Sequence, residues 1–77
     1  MTTEKNQDQF GVCVSNNGYP ASLELRKIYR ILPDAKAAKH GLIRVVDESG
    51  EYYLYPKGFF VTIRLPQAAR EAFLHAA

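Results

Sequence analysis

The sequence predicts a mainly all-β fold: a five-stranded small barrel with a short C-terminal helix. Three observations carry that reading. Residues 26–32 and 59–65 alternate apolar and polar side chains with the period of two that a strand imposes. Asp47-Glu-Ser-Gly50 is a turn signal between two apolar runs, so residues 42–55 read as a β-hairpin. Ala69, Ala72, Phe73 and Ala76 keep the i, i+3, i+4, i+7 spacing of one helical stripe.

Taken in order, residues 1–9 contain no aliphatic or aromatic side chain after Met1 and read as a disordered tail. Phe10-Gly-Val-Cys-Val14 is apolar and β-branched, and Ser15-Asn-Asn-Gly-Tyr-Pro20 ends it with turn residues. Residues 22–25 read as an irregular extended arm. In the next strand Ile28 and Leu32 share a face with Arg30, while Tyr29 and Ile31 share the other. Pro33 lacks a ladder donor and stops it.

Residues 33–41 read as one or two helical turns. Asp34 is placed to cap them, and Gly41 suits a left-handed exit. The hairpin arms are Leu42-Ile-Arg-Val-Val46 and Glu51-Tyr-Tyr-Leu-Tyr55. Pro56-Lys-Gly58 interrupts the pattern before the last strand, where Phe59, Val61, Ile63 and Leu65 are expected to face inward. Ile28 or Tyr29, Ile43, Val45 and Leu54 complete the expected core. Pro66 suits the first turn of a helix spanning residues 66–76, which should cap the barrel, so residues 10–77 form one domain.

Composition narrows the function classes. The 77 residues are 47% hydrophobic and 23% charged, which is globular and enough for one small domain. A net charge of +2 does not by itself imply nucleic acid. The single cysteine excludes an internal disulfide framework. No apolar run approaches the roughly 20 residues of a membrane helix, and residues 1–9 lack the apolar core of a signal peptide. A cytoplasmic protein with no membrane association, monomeric rather than oligomeric, is the expectation.

No residue set argues for catalysis, a metal or a cofactor. Cys13, His40 and His75 are widely separated, unlike the paired ligands of zinc sites. No spacing brings either histidine to the thiol as a base. Cys13 reads as a small strand residue, and His40 as a loop residue near a helix end. Asp47, Glu48 and Glu51 read as a solvated cluster at a hairpin tip, with Asp47 accepting local backbone donors.

Two surfaces remain. Six basic residues against one acid between residues 26 and 44 give a local charge of +5, followed by −3 over residues 45–55. Arg30, Arg44 and Arg64 fall on strand faces read as outward, a stripe suited to phosphates of RNA or DNA, with nearby tyrosines available to stack bases. The bland alternative is that these charges keep strand edges soluble. The second surface is aromatic. Tyr52, Tyr53, Tyr55, Phe59 and Phe60 crowd a short stretch, and alternation sends Tyr53 and Tyr55 to one face. Such rings suit protein or peptide contacts, or else they close a core that has no tryptophan.

The run from Leu23 to Ile63 resembles an SH3-like barrel. Leu23-x-Leu-x-Lys27 precedes Ile28-Tyr-Arg-Ile-Leu32, then a variable loop, a tight hairpin and Tyr55-Pro-x-x-Phe-Phe-Val61, in which Pro56 and Phe60 stand for the Pro and Tyr of a Pro-x-x-Tyr-Val ending, one residue further apart. The chain also resembles short uncharacterised bacterial proteins with an Asn-x-Gly-Tyr turn, an Asp-Glu-Ser-Gly hairpin and a Tyr-Pro-x-x-x-Phe ending. The resemblance to SH3 domains implies a groove flanked by the first long loop and the closing segment, hence Tyr19, Tyr55, Pro56 and Phe60 as contact residues. The groove tryptophan of SH3 domains is missing here, as is the Ala-x-Tyr-x-Tyr of their first strand. The resulting expectation is a non-enzymatic protein- or peptide-interaction module, with an RNA- or DNA-binding adaptor as the alternative.

Overall fold

A computed structural model describes residues 9–74, which form five strands and two short α-helices. The strands are β1 (Gln9–Cys13), β2 (Ile28–Leu32), β3 (Leu42–Val46), β4 (Tyr52–Pro56) and β5 (Phe60–Ile63). Helix α1 (Ala35–Ala38) separates β2 from β3, and α2 (Gln67–Leu74) follows β5. Every strand pair is antiparallel, in the order β4-β3-β2-β1-β5. The fold is mainly β, as the sequence predicts.

The barrel is not closed. Strands β4 and β5 lie at opposite edges of one sheet, with no ladder between them. A 3₁₀ turn over Lys57–Phe59 is their whole connection, and β5 is only four residues long. Closure needs tilt and stagger that such short strands do not supply. Side chains span the gap instead: the rings of Tyr55 on β4 and Phe60 on β5 stand 6.4 Å apart between centroids.

Register fixes which face is the core. Gly11 pairs Tyr29, Ile31 pairs Val45 and Ile43 pairs Tyr55, so these residues share the inner face. Cys13, Leu23, Tyr29, Ile31, Val45, Tyr55 and Phe60 form the buried cluster there, with Ile43 and Phe59 packed against it. Gly11 permits the close approach. A Cβ at position 11 would stand 2.7 Å from Ile31 Cδ1 and 3.3 Å from Phe60 Cβ.

Several expected boundaries shift. Strand β1 begins at Gln9, and residues 1–8 of the expected tail lie outside the described residues. Strand β2 begins at Ile28 because Arg26 takes a left-handed φ of 67°. The Arg26 amide donates to Cys13 O while the Cys13 amide donates to Lys27 O. Two residues therefore oppose one, as in a β-bulge. The Asp34 side chain caps α1 as expected by accepting from the Ala37 amide at 3.0 Å, and Gly41 has the left-handed φ of 71°.

The last strand runs in the opposite register to that expected. Phe59 belongs to the 3₁₀ turn, Phe60 faces the core at 7% exposure, and Val61 faces out at 55%. Leu54, also expected inside, is 45% exposed, while Ile63 is half-buried. Both sheet faces carry apolar side chains, so alternation alone does not identify the core face.

Helix α2 docks on the outer face and not on the open end of the sheet. Its Phe73 ring lies 5.2 Å from the ring of Phe10, and the Arg70 guanidinium sits over the same ring at 5.4 Å. Ala72, expected on the buried stripe, is exposed. Ala76 and His75, with the rest of the expected helix end, fall outside the described residues.

Candidate interaction surface

The surface of interest forms where the long β1–β2 connection crosses the β3–β4 hairpin. The connection is tied down by its own turns. The Tyr19 amide donates to Asn16 O at 2.7 Å, the Leu23 amide to Tyr19 O at 3.0 Å, and Asn16 Nδ2 to Leu23 O at 2.9 Å. Gly18 supplies the left-handed φ of 88° within this turn. Leu23 is fully buried beneath it, and the Glu48 amide donates to Ser22 O at 3.0 Å, joining the connection to the hairpin.

This arrangement sets Tyr19 on top of Tyr55. Their rings meet edge to face at 5.0 Å, and the Phe59 ring lies 6.1 Å from that of Tyr19. Tyr55 is 2% exposed and Tyr19 is 43% exposed, so a free ring rests on a buried one. The buried ring is itself fixed, because its hydroxyl donates to Asp47 Oδ2 at 2.5 Å.

Asp47 is also buried. Its Oδ1 accepts from the Ser49 amide at 2.9 Å and the Ser49 hydroxyl at 2.6 Å. Burial pushes this carboxyl up, but the bonds from Ser49 and Tyr55 outweigh it and hold the group below the usual carboxylate range. Burial and the carboxylate partner push the Tyr55 hydroxyl up to about 12. The expected role of Asp47 in the turn is therefore present, together with a link to the core that the sequence does not signal.

Glu48 holds the same corner from the other side. Its Oε2 accepts from Lys27 Nζ at 2.6 Å and from the Tyr29 hydroxyl at 2.5 Å. Those two bonds, that of Lys27 first, lower its pKa. Burial, then the bond to Glu48, raises that of the Tyr29 hydroxyl, which also accepts from the Glu24 amide at 2.8 Å.

An open depression of about 410 Å³ results, lined by Tyr19, Ser22, Asp47, Ser49, Tyr53 and Tyr55, with Leu54 at its side. Tyr53 is exposed beside it. Sequence reasoning names Tyr19 and Tyr55 but not Ser22, Ser49 or Tyr53 as lining residues. The Tyr53–Tyr55 alternation is the signal that points to Tyr53.

Of the four expected contact residues, the structure brings Tyr19 and Tyr55 into contact, while Pro56 is half-buried at the end of β4. Phe60 and Tyr55 belong to the core cluster, so each offers at most the small part of its ring that reaches a depression. Their burial follows from the open sheet, which needs large rings to bridge its two edges.

Of the three arginines expected in a basic stripe, two share a face. Arg30 and Arg44 share the outer face of β2 and β3. Arg44 Nε donates to Asp34 Oδ2 at 2.9 Å, and the guanidinium lies 4.7 Å from the centroid of Tyr52. The Ala37 amide first and Arg44 second lower the Asp34 pKa, and the bond to Asp34 raises that of Arg44. Arg64 lies past the end of β5, beyond the alternation that would align it.

A second, more apolar cleft of about 420 Å³ occupies the open end of the sheet. Ile31, Ile43 and Phe60 form its floor, with Ala38 and Lys57 on its rim. Cys13 is fully buried, its thiol pKa raised by that burial, and His40 is exposed. Among the described residues, no group of three or more His, Cys, Asp or Glu side chains is placed to hold a metal ion. Among them, too, no helix is long and apolar enough to cross a membrane. Compared with known proteins, the chain matches no family model, no curated protein and no solved structure.

Proposed function

We propose that the protein is a small non-enzymatic interaction module that takes a short extended peptide in the Tyr19–Tyr53 depression, in the cytoplasm. The observation that carries this reading is the exposed Tyr19 ring held edge-on by a buried, hydrogen-bonded Tyr55. An aromatic ring fixed before binding loses little entropy on contact, which is the economy that tyrosine-rich binding surfaces use. An apolar peptide side chain lies against Tyr19 and Tyr53, and peptide donors face the Asp47–Ser49 wall. A shallow, open site of this size suits affinities of about micromolar.

Selection of a phage-displayed random peptide library against the folded protein tests the reading. Enriched peptides should bind with Kd of about micromolar and lose roughly 1–3 kcal/mol of binding with Tyr19→Ala. Absence of enrichment, or peptides indifferent to Tyr19→Ala, overturns it. Capture of a single-stranded oligonucleotide with steep salt dependence, in place of peptides, would favour the nucleic-acid alternative.

A further inference from the structure

The outer edge of β4 carries backbone groups with no sheet partner among the described residues. The Asp47 amide donates to Glu51 O, and the Lys57 amide donates to Gly41 O, each at about 3 Å. These bonds fix the parity of the strand: residues 51, 53, 55 and 57 turn their backbone groups toward β3. Tyr52, Leu54 and Pro56 therefore turn theirs away from the sheet, where β4 has no neighbouring strand among the described residues. Pro56 has no amide to leave unsatisfied, and its carbonyl remains as an acceptor.

Natural edge strands are usually guarded by a charge, a proline, a bulge or a covering loop, and here the one such device within the strand is Pro56 at its end. Strand β4 reads Tyr-Tyr-Leu-Tyr-Pro, with no charged residue, and Tyr52, Tyr53 and Leu54 are exposed. Charges stand only at its two ends, Glu51 before it and Lys57 after it. Neither has an ion-pair partner among the described residues.

We propose that this edge pairs with the same edge of a second copy of the chain, antiparallel, about a two-fold axis at Leu54. That register opposes Leu54 to Leu54, Tyr52 to Pro56 and Glu51 to Lys57. Each Leu54 amide donates to the partner's Leu54 carbonyl, and each Tyr52 amide to the partner's Pro56 carbonyl. The alternative antiparallel register, centred on Tyr53, uses the same amides but leaves Glu51 and Lys57 unopposed. A parallel arrangement sets like charge beside like. Charge complementarity thus selects the copy, the direction and the register, and the interface is self-complementary as two-fold symmetry requires.

An interface of four backbone hydrogen bonds is small, so the dimer is weak and the monomer expected from the sequence is its dilute form. The inference is independent of the peptide reading, because it uses the edge and not Tyr19. Tyr19→Ala leaves it untouched.

Sedimentation equilibrium of the full chain tests it. The mean mass should rise from 8.7 kDa toward twice that value as concentration climbs toward about 1 mM. Glu51→Lys or Lys57→Glu should each weaken association by roughly tenfold over the two symmetric pairs, and the double exchange should restore it. Leu54→Cys should form a disulfide-linked dimer under mild oxidation, since the paired Cα atoms lie within bridging range. A constant 8.7 kDa mass, assembly beyond two copies, or failure of the double exchange to rescue overturns the proposal.

Discussion

The Tyr55 hydroxyl donates to Asp47 Oδ2 at 2.5 Å, joining the start of the β3–β4 turn to the core. This one bond fixes the ring on which Tyr19 rests, so stability and the candidate interaction surface share a support. Tyr55→Phe leaves the Asp47 carboxylate with Ser49 alone. It should cost about 1–3 kcal/mol, read as a lower midpoint in urea unfolding. The Tyr19 ring should lose its fixed orientation at the same time, seen as altered ring shifts by NMR.

Stability should fall in acid. Asp47, Glu48 and Asp34 all have folded-state pKa values below their usual ones. Such groups stabilise the fold above the unfolded-state pKa of about 4, and that contribution is lost as pH falls through the lower folded values. Thermal unfolding followed from pH 6 down to about pH 2 should show a decline beginning near pH 4. Asp47→Asn should flatten that decline, because position 47 then has no proton to take up.

Glycine positions should differ sharply. Gly11→Ala forces a methyl group against Ile31 and Phe60, and should destabilise by roughly 1–3 kcal/mol. Gly58→Ala meets nothing within 4 Å and should leave the melting temperature nearly unchanged. Equal losses at both positions would contradict the close packing of β1 on the core.

The register of β5 is open to a direct comparison. Phe60→Ala removes a core ring and should cost about 3–5 kcal/mol. Val61→Asp places a charge on an exposed side chain and should fold with a small loss. The reverse ranking would restore the register that alternation alone suggests.

These residues also show where the sequence is legible. Strand and helix positions follow from local rules: alternation in β2, the Asp34 cap, Gly41 at the helix exit and the Asp47 turn. The face of β5 does not follow, because Val61 and Phe60 are equally apolar and a three-residue 3₁₀ turn sets their parity. Closure of the sheet is likewise a property of strand length and divergence that no local motif records. Tyr19 and Tyr55 are legible as neighbours only through the SH3-like resemblance, and their unequal exposure is visible only once the Asp47 bond is drawn. The partner of Arg44 is hidden for a related reason, since Asp34, read as a helix cap, also accepts from its guanidinium.

A ¹⁵N-resolved NMR titration of the wild-type chain with a library-selected peptide tests the central claim most directly. Tyr19, Ser22, Ser49 and Tyr53 should shift with a common saturation curve, and Tyr19→Ala should abolish those shifts while its melting temperature stays near that of the wild type. Shifts confined to the cleft around Ile31, Ile43 and Lys57, with the Tyr19 surface silent, would contradict it.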